Sequence, residues 1–342
     1  MHPATRTWLS RHAAWLTWEH QRRNSGIAEA LGVRLFEFGV PGPRWRRYLI
    51  ALGQTLRVLV TKRPKLLFVQ NPSVVLAATA CLYGWMLRAR VVVDAHNGAL
   101  EPLAGGRGLS GFVARLVARR AHLTIVSNPG LVPLVTAHGG RAFTLPDRLP
   151  TLPDVPSRTL AGRRHVMFIC TFAADEPYLE VIEAARRLDQ DTFVYITGNP
   201  RHRRDDLLRQ APPNVVFTGF LPEADYVALL RSVDAVIDLT TRDDCLVCGA
   251  YEGVAAGQPL ILSDTAATRA YFSRGVRYTD NSSADIAMAV RETLIAGDTM
   301  RRAVRELRAQ MTPAWEERLV DLARTVTGAT APPGRDVAPL PS

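Results

Sequence analysis

The sequence predicts an α/β protein of two domains, each a doubly wound parallel sheet. Three observations carry that expectation. Short apolar runs alternate with helix-periodic segments along almost the whole chain, the pattern of a parallel sheet covered on both faces. Four prolines, Pro146, Pro150, Pro153 and Pro156, crowd the middle, where neither a helix nor a central strand tolerates them. With 342 residues, 47% apolar and 22% charged, the chain has material for two ordinary cores and is not compositionally disordered.

The elements follow in order. In the first half, strands are expected at Ala14 to Trp18, Val33 to Phe38, Leu66 to Gln70, Val91 to Ala95 and Thr124 to Ser127. Helical periodicity falls near 24–31, 44–62, 73–88, 109–121 and 129–138. The second half repeats the scheme, with strands at Val166 to Cys170, Phe193 to Thr197, Val215 to Thr218, Ala235 to Leu239 and Leu260 to Ser263. Its helices lie near 176–188, 203–210, 223–232, 249–256 and 284–296. A final amphipathic segment covers about 298–327. The expected domains are therefore 1–149, a proline-rich hinge at 150–164, 165–328 with its last helix able to pack back on the first domain, and a disordered tail at 329–342.

Charge is unevenly spread. The formal net charge is +10, yet residues 1–150 hold 20 Lys and Arg against 6 Asp and Glu, and no acid occurs from Phe38 to Val93. An anionic contact for the first half is one reading; a solvated basic face is the other. Arg44, Trp45, Arg46 and Arg47 open a basic amphipathic helix suited to an anionic membrane surface. On the ordinary alternative it packs Leu49, Leu52, Leu56 and Leu59 on the sheet. Val74 to Leu87 is the longest uncharged, mostly apolar run, below the roughly 18 residues needed to span a bilayer, so it is expected as a buried core helix.

The start of the sequence lacks a signal-peptide pattern, and four scattered cysteines suit a reducing compartment. A cytoplasmic location is expected, with the inner face of the plasma membrane as the place where the basic helix would act. Cys245 and Cys248 form a C-x-x-C without a second pair or a nearby histidine, so no metal is expected. No G-x-G-x-x-G follows the first strand of either half, which argues against NAD chemistry.

The densest chemistry lies in residues 238–264, read as strand, loop, helix, turn, strand. Asp244 and Glu252 have seven residues between them and precede Gly257-Gln258-Pro259. The loop enters a helix whose first N–H groups attract anions, and flanking carboxylates suit hydroxyls. A phosphate-bearing, hydroxyl-rich ligand such as a nucleotide-sugar fits both. The bland reading has Asp244 and Glu252 merely at the acid-favouring start of a helix.

This stretch resembles the Glu-x7-Glu and Ala-x-Gly-x-Pro-Val segments of the GT-B glycosyltransferases, especially the family-4-like group. Val69-Gln70-Asn71-Pro72, Asp94-Ala95-His96-Asn97 and Thr171-Phe172 with Asp175-Glu176 are similar to the polyprenol- or dolichol-linked mannosyltransferases of that fold. The resemblance implies two Rossmann-like domains facing a cleft, an acceptor-binding first domain and a nucleotide-sugar-binding second one. It implies a metal-independent hexosyltransferase with no cofactor, acting on a glycan or lipid-linked acceptor in cell-surface polysaccharide or glycolipid synthesis, with no nucleic-acid partner.

By position, Glu252 would hold ribose hydroxyls, Asp244 the donor sugar, and the backbone of Leu246, Val247, Cys248 and Gly249 the diphosphate. Thr171, Gly198, Asn199 and Arg201 would complete the donor site. Asp94, His96 or Glu101 would deprotonate the acceptor hydroxyl if the enzyme inverts, and would only orient substrates, the donor phosphate taking the proton, if it retains. One departure stands out. The family's Arg and Lys in the first loop of the second domain are missing, since no basic side chain lies between His165 and Ala185. Helix dipoles, Arg201 or Arg203, or Arg242 would have to substitute. Two alternatives stay open: a GT-B sugar-nucleotide 2-epimerase, and a degenerate GT-B partner subunit.

Overall fold

The computed structural model describes residues 1–71, 73–95, 97–106, 108–200 and 210–328. The chain divides into two units, Met1–Arg148 joined by the segment from Ala314, and Leu149–Pro313.

The first unit holds a six-stranded sheet in the order β2-β1-β3-β4-β5-β6. Its strands are β1 (Ala13–Thr17), β2 (Arg34–Glu37), β3 (Leu66–Asn71), β4 (Arg90–Ala95), β5 (Leu123–Val126) and β6 (Ala142–Thr144). All pairings are parallel. The order reverses between β1 and β3. β1 is buried at all five positions, as a central strand covered on both faces requires. Trp15 stacks on Phe68 at 5.0 Å between ring centroids. That pair shares a core with Leu31, Ile125 and, from the C-terminal helix Gly297–Thr327, Trp315, Leu319, Leu322 and Val326.

The second unit holds a sheet in the order β12-β11-β10-β7-β8-β9, again all parallel among named strands. Its strands are β7 (Arg164–Phe168), β8 (Thr192–Thr197), β9 (Val215–Gly219), β10 (Ala235–Asp238), β11 (Leu260–Ser263) and β12 (Val276–Thr279). Here the order reverses between β7 and β10. In such sheets ligands bind beyond the carboxyl ends of the strands at this crossover. The helix Cys248–Ala256 follows β10 and ends on Gly257 in the left-handed conformation, and Pro259 then leads into β11.

The proline-rich stretch has no regular structure and is strapped to the second unit. Leu149, Leu152 and Leu160 pack on its core. Arg231 donates to the carbonyls of Pro153 and Val155 at 3.0 and 2.8 Å and pairs with Asp154 at 3.2 Å.

Two expectations need correction. Val74–Leu87 forms the expected helix, but it is not a buried one: Leu82, Trp85, Met86 and Leu87 are exposed. Along Arg44–Lys62 the inward residues are Ala51, Thr55 and Leu59, so Leu49 and Leu56 face outward instead of packing on the sheet. The reason is shared: both helices are apolar around more of their circumference than one sheet face can cover. Among the described residues no helix is long and apolar enough to cross a membrane.

Candidate functional site

The crossover of the second sheet gathers the loop after β7, the loop after β10 and the first turn of Cys248–Ala256. The helix is preceded by Val247, whose side chain makes no cap, so its first N–H groups need an acceptor. Asp238, the last residue of β10, supplies it. Its Oδ2 accepts the Ala250 N–H at 3.1 Å, and the Gly249 N–H also donates to it. A Cβ at position 249 would lie 2.6 Å from that oxygen, so the close approach demands glycine. The N-terminus expected to cradle a diphosphate through Leu246 to Gly249 is thus already met, at Gly249 and Ala250, by a carboxylate of the chain.

Asp238 is buried, and its pKa is raised well above the ordinary aspartate value. Burial is the main cause; neighbouring Glu176 and Glu252 add to it, against the two N–H groups. The loop after β7 repeats the arrangement. Phe172 adopts a left-handed backbone with φ of 60°, uncommon for an aromatic residue. Glu176 accepts the N–H groups of Thr171 and Ala173 at 2.9 and 2.8 Å and the Thr171 hydroxyl at 2.9 Å. The loop that lacks a basic pair therefore carries an acid folded onto its own backbone donors. Cys170 lies against this carboxylate, its Sγ 3.4 Å from Oε2, and burial followed by the Glu176 charge pushes the thiol pKa upward.

Neighbouring loops hold this one in place. Gly198 has φ of 83°, and a Cβ there would lie 2.2 Å from the Cys170 carbonyl oxygen. The Thr197 hydroxyl accepts the Cys170 N–H at 3.0 Å. Asp175 receives the Thr240 hydroxyl at 3.1 Å and the Arg242 guanidinium at 3.4 Å, tying the β7 loop to the β10 loop. Arg242 is thus a cation at this edge, already ion-paired. Asn199 follows Gly198 and is half-buried; Arg201 and Arg203 lie outside the described residues.

Glu252, half-buried on Cys248–Ala256, accepts a hydrogen bond from the Tyr226 hydroxyl of the helix Glu223–Ser232. Asp244 is exposed on the turn before Cys248–Ala256, Leu246 is buried, Val247 is half-buried and Cys248 is exposed. Glu252 and Glu176 thus share the crossover with Asp238, as their charges on it show. Sequence reasoning missed Tyr226, Glu176 and Asp238 as members of this group. Asp238 was signalled only as an acid in a strand, and Glu176 only within the Thr171-Phe172 and Asp175-Glu176 resemblance, which gave it no role.

In the first unit, Asp94 is fully buried at the end of β4 and is not placed as a base. Arg23 grips it through Nε at 3.0 Å and Nη2 at 2.9 Å, and also bonds Asp147 and the Leu145 carbonyl. Burial alone would lower the Arg23 pKa, but the two carboxylates outweigh it and raise it. A carboxylate so neutralised is a structural anchor for the strand end. His96, two residues on, lies outside the described residues. Arg44, Trp45, Arg46 and Arg47 are exposed at the start of their helix. Arg44 and Arg47 line a cavity of ≈ 280 Å³ with Trp18, Glu19, Tyr48 and Ser73, beside the β1–β3 crossover.

Comparison with known proteins adds to this. Residues 178–322 match the model of a family described as glycosyl transferase-like. Among curated proteins none matches the sequence. HepE of Anabaena, solved in complex with UDP, is similar in structure with a TM-score of 0.67 at 11% identity, covering 91% of this chain and 99% of that one. The sucrose-phosphate synthase of Thermosynechococcus elongatus gives 0.70 at 14% identity, covering 94% and 100%. The calicheamicin glycosyltransferase CalG4 gives 0.52 at 16% identity, covering 94% and 99%. The chain has the two-domain α/β fold of the GT-B glycosyltransferases, and its segment 178–322 is glycosyl transferase-like in sequence.

Proposed function

We propose that the chain transfers a hexose from a UDP- or GDP-linked sugar to a hydroxyl of a glycan or lipid-linked acceptor, in the making of surface polysaccharide or glycolipid. The observation that carries this reading is the Glu252 carboxylate, oriented by Tyr226 at the crossover of the second sheet. A half-buried carboxylate with one oxygen already fixed is suited to accept a pair of neighbouring hydroxyls, as a ribose presents. Asp244 would meet the donor sugar. HepE, which shares the fold, binds UDP, and this supports the donor class.

On this reading the first unit takes the acceptor, with His96 beside the reacting hydroxyl and Arg44 and Arg47 beside its anionic part. The leaving diphosphate would be met by Arg201 or Arg242, because the β7 loop offers an acid in place of a base. Catalysis would need neither metal nor cofactor. The protein would work in the cytoplasm, at the inner face of the plasma membrane.

A thermal-shift series with UDP, GDP and their sugars tests the donor reading. A ligand at 100 times its dissociation constant stabilises by about 2.7 kcal/mol. No shift with any of them, together with no hydrolysis or transfer, would sink the proposal. Glu176 favours one second reading, that of a chain which binds the donor without turning it over. A shift with UDP but no product in the presence of membranes would select it.

A further inference from the structure

Strands β1, β3 and β4 are covered on one face by the helices Arg44–Lys62, Val74–Leu87 and Gly108–Arg120. Their inward residues, among them Ala51, Leu59, Leu76, Ala80 and Val117, share one apolar cluster with Leu67, Val69, Val91 and Val93. An ordinary covering layer turns polar on its outer side. This one stays apolar. On the middle helix Trp85 is 70% and Met86 65% exposed, next to exposed Leu82 and Leu87. The first helix adds Trp45, Leu49, Leu56 and Val60, and the third adds Leu109 and Phe112. Among the described residues of the second unit the exposed large apolar side chains are fewer, namely Leu179, Phe220, Met288 and Ile295.

The charges of the same three helices are of one sign. They carry Arg44, Arg46, Arg47, Arg57 and Lys62 on the first and Arg115, Arg119 and Arg120 on the third, with no Asp or Glu on any of them. A protein partner complementary to such a face would have to be apolar and acidic at once over three helices. An anionic bilayer surface is both by nature, offering acyl chains below a layer of phosphates. The geometry also fits a surface rather than a span. Val74–Leu87 has 14 residues, about 21 Å of helix, against a hydrocarbon core of about 30 Å. Indole and phenol rings at Trp45, Tyr48 and Trp85 suit the headgroup level.

We propose that these three helices form a lipid-docking face that lies flat on membranes containing anionic lipid, with Val74–Leu87 as its apolar centre and the flanking arginines on the phosphates. The proposal extends the lipid-linked acceptor reading, but its test needs no turnover. The full chain is floated with phosphatidylcholine vesicles, with and without phosphatidylglycerol, at low and high salt. Flotation with the mixed vesicles, weakened by salt, is expected, together with quenching of tryptophan emission by brominated acyl chains. Trp85→Gln with Met86→Gln should lower partitioning about tenfold or more, since both side chains would leave the boundary between headgroups and acyl chains. Leu179→Gln with Met288→Gln, on the second unit, should leave it unchanged.

Both positions of the first pair are solvent-facing, so the variant should keep its melting temperature, which is measured alongside. No flotation, flotation equal with neutral vesicles at every salt, or parent-like flotation of the variant would each overturn the proposal. So would a stable dimer dissolved by the same two substitutions, which would make the face a protein interface. UDP binding, measured on the same sample, separates the two readings: a chain that binds UDP without floating refutes only the lipid face, and one that floats without binding refutes only the donor site.

Discussion

Glu176 folds back onto Thr171, taking both its N–H and its hydroxyl at 2.9 Å. The first loop of the second unit therefore holds its own anion where an external phosphate would otherwise compete. Replacing that carboxylate with an amide keeps an acceptor for the N–H groups and removes the charge. Glu176→Gln should raise the affinity for UDP about fivefold, equivalent to ~1 kcal/mol at surface-like dielectric. Titration calorimetry of parent and variant reads this; an unchanged or lower affinity would remove Glu176 from the account of the donor site.

Glu252 should behave in the opposite way. Glu252→Gln removes a charged acceptor and is expected to lower donor affinity by about 2 kcal/mol, roughly 30-fold. Tyr226→Phe, which only releases Glu252 from its orienting bond, should cost about 1 kcal/mol. Equal affinity for a ribose-containing and a ribose-free phosphate compound in the parent would refute the assignment to ribose.

The Arg23–Asp94 pair is buried and carries a test of stability rather than of chemistry. Arg23→Ala leaves Asp94 without its guanidinium and should destabilise by about 3–5 kcal/mol in urea denaturation. Lysine at the same position should recover only part of this, because the bidentate grip on Asp94 with bonds to Asp147 and Leu145 needs a planar fork.

Asp238 gives a pH dependence. Its pKa is higher in the folded chain than in the unfolded one, so the fold binds its proton more tightly. The stability it contributes is full below the unfolded value and is lost as pH rises through the folded one, at about 1.4 kcal/mol per pKa unit. Asp238→Asn, which cannot titrate, should gain on the parent as pH climbs from about 4 toward 8. Denaturation midpoints that run parallel across this range would contradict it.

Much of the fold was legible because apolar runs and turn residues mark strands whose burial is complete. Leu66 to Gln70 and Val91 to Ala95 correspond closely to β3 and β4. β6 and β12 escaped, the first because three residues carry no period, the second because Arg277 interrupts a short edge strand. The helix Pro3–His12 also escaped, since its apolar stripe is thin and its start depends on the His2 ring accepting the Ala4 N–H.

The site was legible only where spacing itself speaks. Asp244, Glu252 and Gly257 could be read from their order along one segment. Asp94 and Arg23 are 71 positions apart, and nothing local to either reveals that they meet. Nor does a local pattern tell a carboxylate that awaits a ligand from one that caps its own helix, as Asp238 does. Both need an acid beside backbone donors; only the register of the fold decides between them.

The helix Gly297–Thr327 passes from one unit to the other at Pro313 and Ala314. Its far end places Trp315, Leu319, Leu322 and Val326 against Trp15 and Phe68. During synthesis the N-terminal sheet is thus completed by residues made only after the whole stretch Leu149–Pro313. Domains usually close in the order in which they are made. Here the unit translated first is sealed only after the second unit's Leu149–Pro313 has been made, so its apolar core stays incomplete over that interval.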